Sequence, residues 1–240
     1  IAQTLEDSNI QSDFVQVDED TRINVKLKSG QETEINAPGP KVTHAQFEQL
    51  LSQIRRTTND DIVIVAGSVP NSIPSDAYAQ IAQITEKTGA QLVVDAEKDL
   101  VETVLPYRPL FIKPNKDELE VMFNTTVKSD EDVIKYGKEI LKKGAQSVII
   151  SLGGDGAIYV DQHQSIKAVN PQGHVVNTVG SGDSTVAGMV AGVSMGLNID
   201  EAFQQAVASG TATAFSEDLA TRDAIENIKS QVTISVLDGE

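Results

Sequence analysis

The chain contains no cysteine, only three histidines and no long hydrophobic run. The absence of cysteine excludes disulfides, thiolate metal ligands and cysteine nucleophiles. The histidines are scattered and form no HExxH pair, so we expect no zinc site. A helix that crosses a bilayer needs about 20 consecutive apolar residues. We therefore expect no contact with a membrane interior.

Basic residues are also scarce, because 19 Lys and Arg stand against 35 Asp and Glu, for a formal net charge of −16. Nucleic acids and anionic membrane surfaces bind basic faces, so neither is an expected partner. The same charge opposes any anionic substrate, which a few well-placed cations would have to hold. With 240 residues and 40% hydrophobic content, the chain can still bury a sizeable core.

The first forty residues differ in pattern from the rest. Alternating polar and apolar residues predict three short antiparallel strands, at residues 13–17, residues 21–28 and, after a turn at Ser29-Gly30, residues 32–36. The Pro/Gly run at 37–40 then breaks the pattern. We expect residues 13–40 to form a small β-sheet, and residues 1–12 and 41–240 to form the main domain.

From Lys41 onward, continuous apolar runs alternate with helical patterns, for which Thr43, Ser129, Asp200 and Thr221 are the predicted N-caps. This alternation predicts an α/β domain whose mostly parallel sheet is flanked by helices. Ligands of such sheets bind at the carboxyl ends of the strands. The predicted strand ends are Gly67-Ser68, Asp95, Lys113 to Asn115, Ser151 to Gly156 and Gly180 to Asp183.

Small residues and one carboxylate meet at the start of a predicted helix, in Gly180-Ser181-Gly182-Asp183. Free backbone N–H groups at a helix N-terminus favour a phosphate. A carboxylate there would repel that anion, unless Asp183 accepts the proton of an attacking hydroxyl. The alternative is a tight turn in which Asp183 only favours the helix N-terminus. The spacing alone does not decide between the two interpretations.

Asn115 and Glu118 also allow two interpretations. Asn as N-cap with Glu three residues later is typical of a capping box, and the spacing favours this role. The same two side chains could organise Mg²⁺ on the phosphates of ATP. Both roles can hold at once.

The remaining glycines match neither common nucleotide motif. No GxxxxGK[ST] sequence is present, and Thr185 stands where GxGxxG requires its third glycine. Asp155-Gly156 is most simply a hairpin turn. Alternatively, Ser151 and the backbone of residues 153–156 could approach a nucleotide closely.

Several of these stretches together resemble the PfkB branch of ribokinase-like sugar kinases. Thr178 to Ser184 resembles its Gly-Ala-Gly-Asp signature with Ser181 in place of alanine, and Asn115 to Glu118 resembles its NxxE motif. Ser151-Leu152-Gly153 with Gly156 is similar to its nucleotide loop, and Gly67-Ser68-Val69-Pro70 to its Gly-Ser-Leu-Pro segment. Residues 21–26, 34–36 and 38–40 are most similar to the bacterial 1-phosphofructokinase branch, with tagatose-6-phosphate kinases next.

The resemblance implies a cytoplasmic, ATP- and Mg²⁺-dependent sugar-phosphate kinase, with fructose 1-phosphate as the first-choice substrate. It implies that Asp183 is the general base, with Gly180, Ser181 and Gly182 stabilising the transferred phosphoryl group. It further assigns ATP to Lys113, Asn115, Ser151, Gly153, Gly154, Gly156, Ser181 and Gly182. The metal is assigned to Glu118 and Asn115, and the phosphosugar to Arg22, Asn24, Gly67, Ser68 and Asp183.

The resemblance also implies that the sheet of residues 13–40 is a lid, which in this family often pairs between subunits as a homodimer. The family's opening strand and glycine-pair motif are absent, and Asn71-Ser72 replaces the usual Pro-Gly. We therefore expect the natural chain to begin before Ile1. A sugar-phosphate sensor on a kinase fold is an alternative of another class, although a sensor has no need for the base Asp183.

Overall fold

The computed structural model describes residues 2–29 and 31–239, so half of the predicted Ser29-Gly30 turn lies outside the described residues. The helices described are α1 (Ala2–Asp7), α2 (His44–Ile54), α3 (Ala77–Thr88), α4 (Lys98–Val104), α5 (Lys116–Phe123), α6 (Asp130–Lys143), α7 (Ser181–Ser194), α8 (Ile199–Ala214) and α9 (Arg222–Lys229). The strands described are β1 (Asn24–Ser29), β2 (Gln31–Asn36), β3 (Ile62–Ala66), β4 (Gln91–Asp95), β5 (Phe111–Ile112), β6 (Val148–Ser151), β7 (Ala157–Val160), β8 (Gln164–Val169) and β9 (Thr233–Gly239). No helix of this described part is both long enough and apolar enough to cross a membrane.

Strands β3 to β9 form one sheet in which spatial order follows chain order. β3, β4, β5 and β6 pair in parallel, and β7, β8 and β9 continue the sheet in antiparallel pairs. β3, β4, β5, β6 and β8 therefore point one way and β7 and β9 the other, so five of the seven described strands share a direction. The predicted α/β class with a mostly parallel, helix-flanked sheet is confirmed. β8 and β9 extend it beyond the predicted hairpin.

The sheet separates two hydrophobic cores, because alternate residues of each strand face opposite sides. Val94 and Ile150 pack into the core covered by α2 to α6. Their neighbours Val93 and Ile149 pack into the core of the other face, with Phe203 of α8. Both faces are thus covered over the central strands, as expected for continuous apolar runs. The apolar run of β3 predicts the same burial, but this prediction is wrong, because β3 lies at the edge of the sheet and Ile64 is 44% exposed.

Helices α7 and α8 pack unusually closely through small residues. A Cβ added at Gly188 would lie 2.6 Å from Ser209 Oγ, and one at Gly192 would lie 2.7 Å from Ala202 Cα. Only glycine allows this approach, since real Cβ atoms do not come within 3.0 Å of other heavy atoms. The contact holds the middle and the C-terminal part of α7 against the buried helix α8.

The small sheet contains two strands, so the prediction of a third at residues 13–17 is wrong. β1 and β2 pair antiparallel, with Val25 opposite Ile35. Residues 13–17 instead run along α2, where Gln53 and Gln46 donate side-chain hydrogen bonds of 2.8 and 2.9 Å to the carbonyls of Asp13 and Gln16. These carbonyls accept bonds from helix side chains, and strand pairing is not needed to satisfy them.

Three of the four predicted helix caps are confirmed. Thr43, Ser129 and Thr221 each accept a hydrogen bond from the third residue of the following helix. Asp200 is not a cap, because α8 begins earlier and Asn198 Oδ1 accepts from the Glu201 N–H at 2.9 Å. Asp200 lies in the first turn of α8, where its charge suits the helix dipole.

Candidate active site

The carboxyl ends of the parallel strands bring most of the predicted site residues to one edge of the sheet. The Gly67 N–H, after β3, donates 2.9 Å to the carbonyl of Asp95, the last residue of β4. Asn115, after β5, forms a parallel bridge with Ser151, the last residue of β6. Residues distant in sequence thus become neighbours, because parallel strands end at the same edge.

The turn before α7 has the geometry that its glycines predict. Gly180 is the N-cap, with φ of 77°, a left-handed conformation that favours glycine. Ser181 Oγ donates 2.7 Å to the Gly210 carbonyl and so ties the turn to α8. Asp183 is exposed in the first turn of α7. The prediction of a turn that presents a carboxylate at a helix N-terminus is therefore confirmed in its geometry.

The backbone donors of this turn are not all available. The Ser181 N–H donates to the Thr178 carbonyl at 3.2 Å. The following N–H groups, of Gly182 and Asp183, belong to the first turn of α7, where a helix supplies no acceptor. An anion at this turn would therefore be bound by Gly182 and Asp183, and less by Ser181 than expected.

A buried ion pair lies directly beside this turn. Lys113 Nζ is 3.2 Å from Asp95 Oδ2, and the two side chains are only 8% and 18% exposed. A Cβ added at Gly182 would stand 3.3 Å from the same Nζ, so the absence of a side chain leaves room for the lysine. Lys113, Asp95 and Gly182 form one contact group.

The pKa of Asp95 depends on Asp183 as well as on Lys113. Burial raises the pKa of Asp95, the charge and hydrogen bond of Lys113 lower it, and the charge of Asp183 raises it. The net pKa lies above the usual value for aspartate. The charges of Lys113 and Asp183 thus both act on Asp95 at the edge of the sheet.

A cleft of ≈ 410 Å³ lies on one side of this group. It is lined by seven of the predicted ATP residues: Asn115, Ser151, Gly153, Gly154, Gly156, Ser181 and Gly182. Lys113 is not part of that lining and stands behind Gly182. Seven of the eight residues predicted for ATP thus line one cavity, and Lys113 lies beside its edge.

The far wall of this cleft comes from residues that sequence reasoning missed. Asn170 donates 3.1 Å to the Gly153 carbonyl and accepts 3.0 Å from Thr211 Oγ1. Phe215 also lines the cavity, at the end of α8. These residues lie after β8 and in α8, and no local motif marks them.

Asn115 and Glu118 form the predicted capping box. Asn115 Oδ1 accepts 2.8 Å from the Glu118 N–H, and Glu118 Oε2 accepts 2.8 Å from the Asn115 N–H. In the described part of the chain, no three acidic, histidine or cysteine side chains cluster as a metal cage. Mg²⁺ in phosphotransferases binds mainly water and phosphate oxygens, with one or two protein carboxylates. Asn115 lines the cleft and Glu118 is hydrogen-bonded to it outside the lining, and one carboxylate with one amide oxygen is a donor set that fits such an ion.

A second cleft, of ≈ 450 Å³, lies between the end of β3 and the approach to the small sheet. Arg22, Gly67 and Ser68 line it, and Arg22 Nη1 donates 2.9 Å to Ser68 Oγ. Tyr78 OH donates 2.7 Å to the Gly67 carbonyl and fixes this turn. Burial and the charge of Asp95 raise the pKa of Tyr78 to about 12, so the phenol remains a donor at neutral pH. Asn24, in β1, does not line this cleft among the described residues.

The two clefts are joined by a continuous set of contacts. Gly67 of the second cleft bonds to Asp95, Asp95 pairs with Lys113, and the ammonium group of Lys113 stands in the space that a side chain at Gly182 of the first cleft would approach. Asp183 follows Gly182 directly. Asp183 lines neither cleft in this structure, but its carboxylate stands next to Gly182 on the rim of the first one, where it could accept a proton from a hydroxyl that approaches a phosphate.

Asp95 is a candidate functional residue that the predicted site omitted. Its position at a strand end did mark it as part of the shared edge. The ion pair with Lys113 could not be anticipated, because 17 positions and a helix separate the two residues.

Comparison with known proteins gives consistent matches. The family description "pfkB family carbohydrate kinase" matches residues 1–224. A 1-phosphofructokinase of Bacillus subtilis strain 168 is 41% identical over 97% of this chain and 77% of its own length. A D-tagatose-1-phosphate kinase of Bacillus licheniformis is 34% identical over 99% and 78%, respectively. A crystal structure from Staphylococcus aureus with a provisional phosphofructokinase assignment shares 80% identity, with a TM-score of 0.91 over all of this chain and 78% of that one.

Proposed function

This chain belongs to the pfkB family of carbohydrate kinases, and from that premise we propose that it phosphorylates fructose 1-phosphate to fructose 1,6-bisphosphate with ATP. It is a sugar kinase that transfers phosphate to a hydroxyl acceptor. The observation that carries the proposal is the position of Asp183, which directly follows Gly182, a residue that lines the first cleft and stands beside the buried Lys113.

In the proposed reaction, Asp183 accepts the proton of the 6-hydroxyl while that oxygen attacks the γ-phosphorus of ATP. The new O–P bond forms as the bond from the γ-phosphorus to the β,γ-bridging oxygen breaks, and ADP leaves. The N–H groups of Gly182 and Asp183 face the charge that develops on the transferred group, together with the positive end of the α7 dipole. These residues would thus position the reacting groups and stabilise the charge on the transferred phosphoryl group, as phosphoryl transfer requires.

ATP is proposed to occupy the cleft lined by Ser151, residues 153–156 and Gly182, with Lys113 at its phosphate end. Asn115 and Glu118 would hold Mg²⁺, which supplies charge neutralisation on the phosphates. The cap and the metal role do not exclude each other, since one carboxylate oxygen of Glu118 bonds the helix N-terminus. Its other oxygen can bind a hydrated ion.

The phosphosugar is proposed to occupy the second cleft, with Arg22 as the ligand of its existing phosphate. Arg22 reaches the core through Ser68, so the cleft is bounded by both the lid side and the end of β3. Gly67 and Ser68 offer backbone and hydroxyl groups to the sugar. Asn24 does not line this cleft, so its proposed contact with the sugar requires a lid position different from the one described.

The lid is proposed to pair with a second copy, giving a homodimer. Ile23, Val25, Leu27 and Ile35 are 75%, 42%, 49% and 55% exposed. Val25 and Leu27 alternate along β1, and Val25 is opposite Ile35 of β2 in the register, so these three share one face, and Ile23 directly precedes β1. An apolar sheet face of this kind is typical of a protein–protein contact.

The dependence on ATP is the basis for proposing a cytoplasmic location.

A tagatose phosphate is the second candidate substrate, because a D-tagatose-1-phosphate kinase matches nearly the whole chain. The sequence resemblance suggested tagatose 6-phosphate, and the matched relative acts on the 1-phosphate according to its name. The two relatives differ by the sugar and share the 1-phosphate. This agreement favours a substrate phosphorylated at carbon 1.

The test is ADP release by the purified full-length protein with fructose 1-phosphate, fructose 6-phosphate and the tagatose 1- and 6-phosphates. We expect the highest kcat/KM with fructose 1-phosphate. Loss of a general base typically costs about 10²–10⁴ in rate, so Asp183→Asn should lower kcat by that factor while ATP still binds. Asp200→Asn, a carboxylate in the first turn of another helix, is the matched control.

Two outcomes would contradict the proposal. If the wild-type protein turns over none of these sugars but binds them, the sensor alternative is favoured. If Asp183→Asn retains activity within a few-fold of the wild type, Asp183 is not the base.

A further inference from the structure

We propose that Asp95 is a positioning residue, whose carboxylate holds the ammonium group of Lys113 beside Gly182, where it can meet the phosphates of a nucleotide. This inference rests on the proposed nucleotide cleft and extends it, because it assigns a role to a residue outside the predicted site. It concerns a residue that acts through another residue, and no direct contact between Asp95 and substrate is required.

The ion pair has the geometry that such a role needs. Lys113 is the first residue after β5 and Asp95 the last residue of the neighbouring β4, so two parallel strand ends set the spacing of the pair. Backbone bonds hold both strand ends, since the Lys113 N–H donates 3.3 Å to the Val94 carbonyl. The Asp95 carbonyl accepts 2.9 Å from Gly67. Neither end of the ion pair is carried by a free loop.

The direction of the lysine side chain is set by its surroundings. At 8% exposure, Lys113 cannot turn its ammonium group out to water without leaving its pocket. Its Nζ is 3.2 Å from Asp95 and 3.3 Å from where a Cβ of Gly182 would stand. The bond to Asp95 therefore places the positive charge against the first turn of α7.

A second carboxylate competes for the same ammonium group. The charge of Asp183 raises the pKa of Asp95, so the two carboxylates interact. We therefore expect Asp183 to attract the ammonium group of Lys113 once the charge of Asp95 is removed. An ion pair between Lys113 and Asp183 would occupy the proposed base and withdraw the lysine from the nucleotide. By binding Lys113, Asp95 would thus keep the lysine beside the nucleotide and leave Asp183 to act as the base.

A double-mutant cycle with Asp95→Asn and Lys113→Met tests the proposal. A hydrogen bond to a charged group is worth enough to change affinity roughly 10- to 150-fold. We expect Asp95→Asn to lower kcat/KM for ATP by about that factor. In the Lys113→Met background, where no ammonium remains to be positioned, the same change should alter kcat/KM for ATP less than about threefold.

The control variant is Glu97→Gln, which removes the same charge two residues away. Glu97 is exposed and its side chain makes no cap hydrogen bond to α4. We expect kcat/KM for ATP to stay unchanged in this variant. A decrease equal to that of Asp95→Asn would mean that general charge, and not positioning, is responsible.

Thermal unfolding and calorimetric binding of MgADP complete the test. Breaking a buried ion pair leaves an unpaired charge, so both single variants should melt at lower temperatures and the double variant should recover part of the loss. An effect on melting with unchanged MgADP affinity would reduce the pair to a structural role and overturn the proposal. An equal loss of MgADP affinity from Asp95→Asn with and without Lys113 would do the same, because Asp95 would then act independently. The binding measurement needs no turnover, so it stays informative if the proposed sugar substrate is wrong.

Discussion

Replacement of Arg22 by alanine tests the most specific part of the proposed substrate site. The side chain is exposed and donates one hydrogen bond of 2.9 Å, to Ser68 Oγ. Surface substitutions of this kind change stability by roughly 0.5 kcal/mol or less, so the melting temperature should not move appreciably. A fold defect would therefore not confuse the kinetic result.

The expected kinetic effect follows from the charge of the protein and the chemistry of arginine. At a net charge of −16, the protein gives an anionic sugar no general attraction, so its affinity must come from a few fixed cations. The planar guanidinium group can bind two phosphate oxygens at once, which lysine cannot do. Hydrogen bonds to charged groups contribute roughly 1.5–3 kcal/mol, which corresponds to about a 10- to 150-fold rise in KM for the phosphosugar.

Steady-state kinetics with each substrate varied in turn distinguish this role from others. KM for ATP should move much less, because the nucleotide cleft does not contain Arg22. Arg22→Lys should recover only part of the affinity. Arg55→Ala removes an exposed arginine that pairs with Glu48 on α2 and should leave both KM values unchanged. The reasoning is refuted if the sugar KM stays constant in Arg22→Ala, or if both KM values rise together.

Two further predictions concern the metal and the subunit contact. Glu118→Gln preserves the capping box, since glutamine serves at that position, so we expect an unchanged melting temperature and a higher Mg²⁺ requirement in an activity titration. A large loss of stability with normal Mg²⁺ dependence would leave Glu118 only the cap. Val25→Asp places a charge on the apolar face of the lid and should shift the proposed homodimer to monomer in sedimentation velocity. Ile10→Asp alters an exposed residue outside the lid and should not, and a Val25→Asp protein that remains dimeric would place the contact elsewhere.

The elements that follow local rules could be predicted from the sequence. The strands β3, β4 and β6 are continuous apolar runs, of which β4 and β6 are buried while β3 lies at the edge of the sheet and is partly exposed. Thr43, Asn115, Ser129 and Thr221 cap helices through bonds to residues three positions away. The left-handed Gly180 at the start of α7 belongs to the same class. Each of these features depends on a few residues that are neighbours in the sequence, so the local sequence is enough to predict it.

The wrong predictions concern local structure that contacts and packing in the folded chain determine. Residues 13–17 alternate as a strand should, yet Gln46 and Gln53 of α2 bind their carbonyls and no partner strand is required. Asn198, and not the predicted Asp200, caps α8. Several polar residues near this point can serve as caps, and the sequence does not show at which of them the packed helix begins. Propensity sets the candidates, and tertiary contacts choose among them.

The sequence alone therefore determined the family, the α/β class and the chemical types at the edge of the sheet, because short motifs and strand ends reveal them. Only the tertiary structure decided which of those groups touch. The pair of Asp95 with Lys113, the room that Gly182 leaves for its ammonium group and the contact of Arg22 with Ser68 all join residues from different elements. The physical reason is that hydrogen bonds and ion pairs depend on distances of about 3 Å, which strand register and helix packing set across the fold.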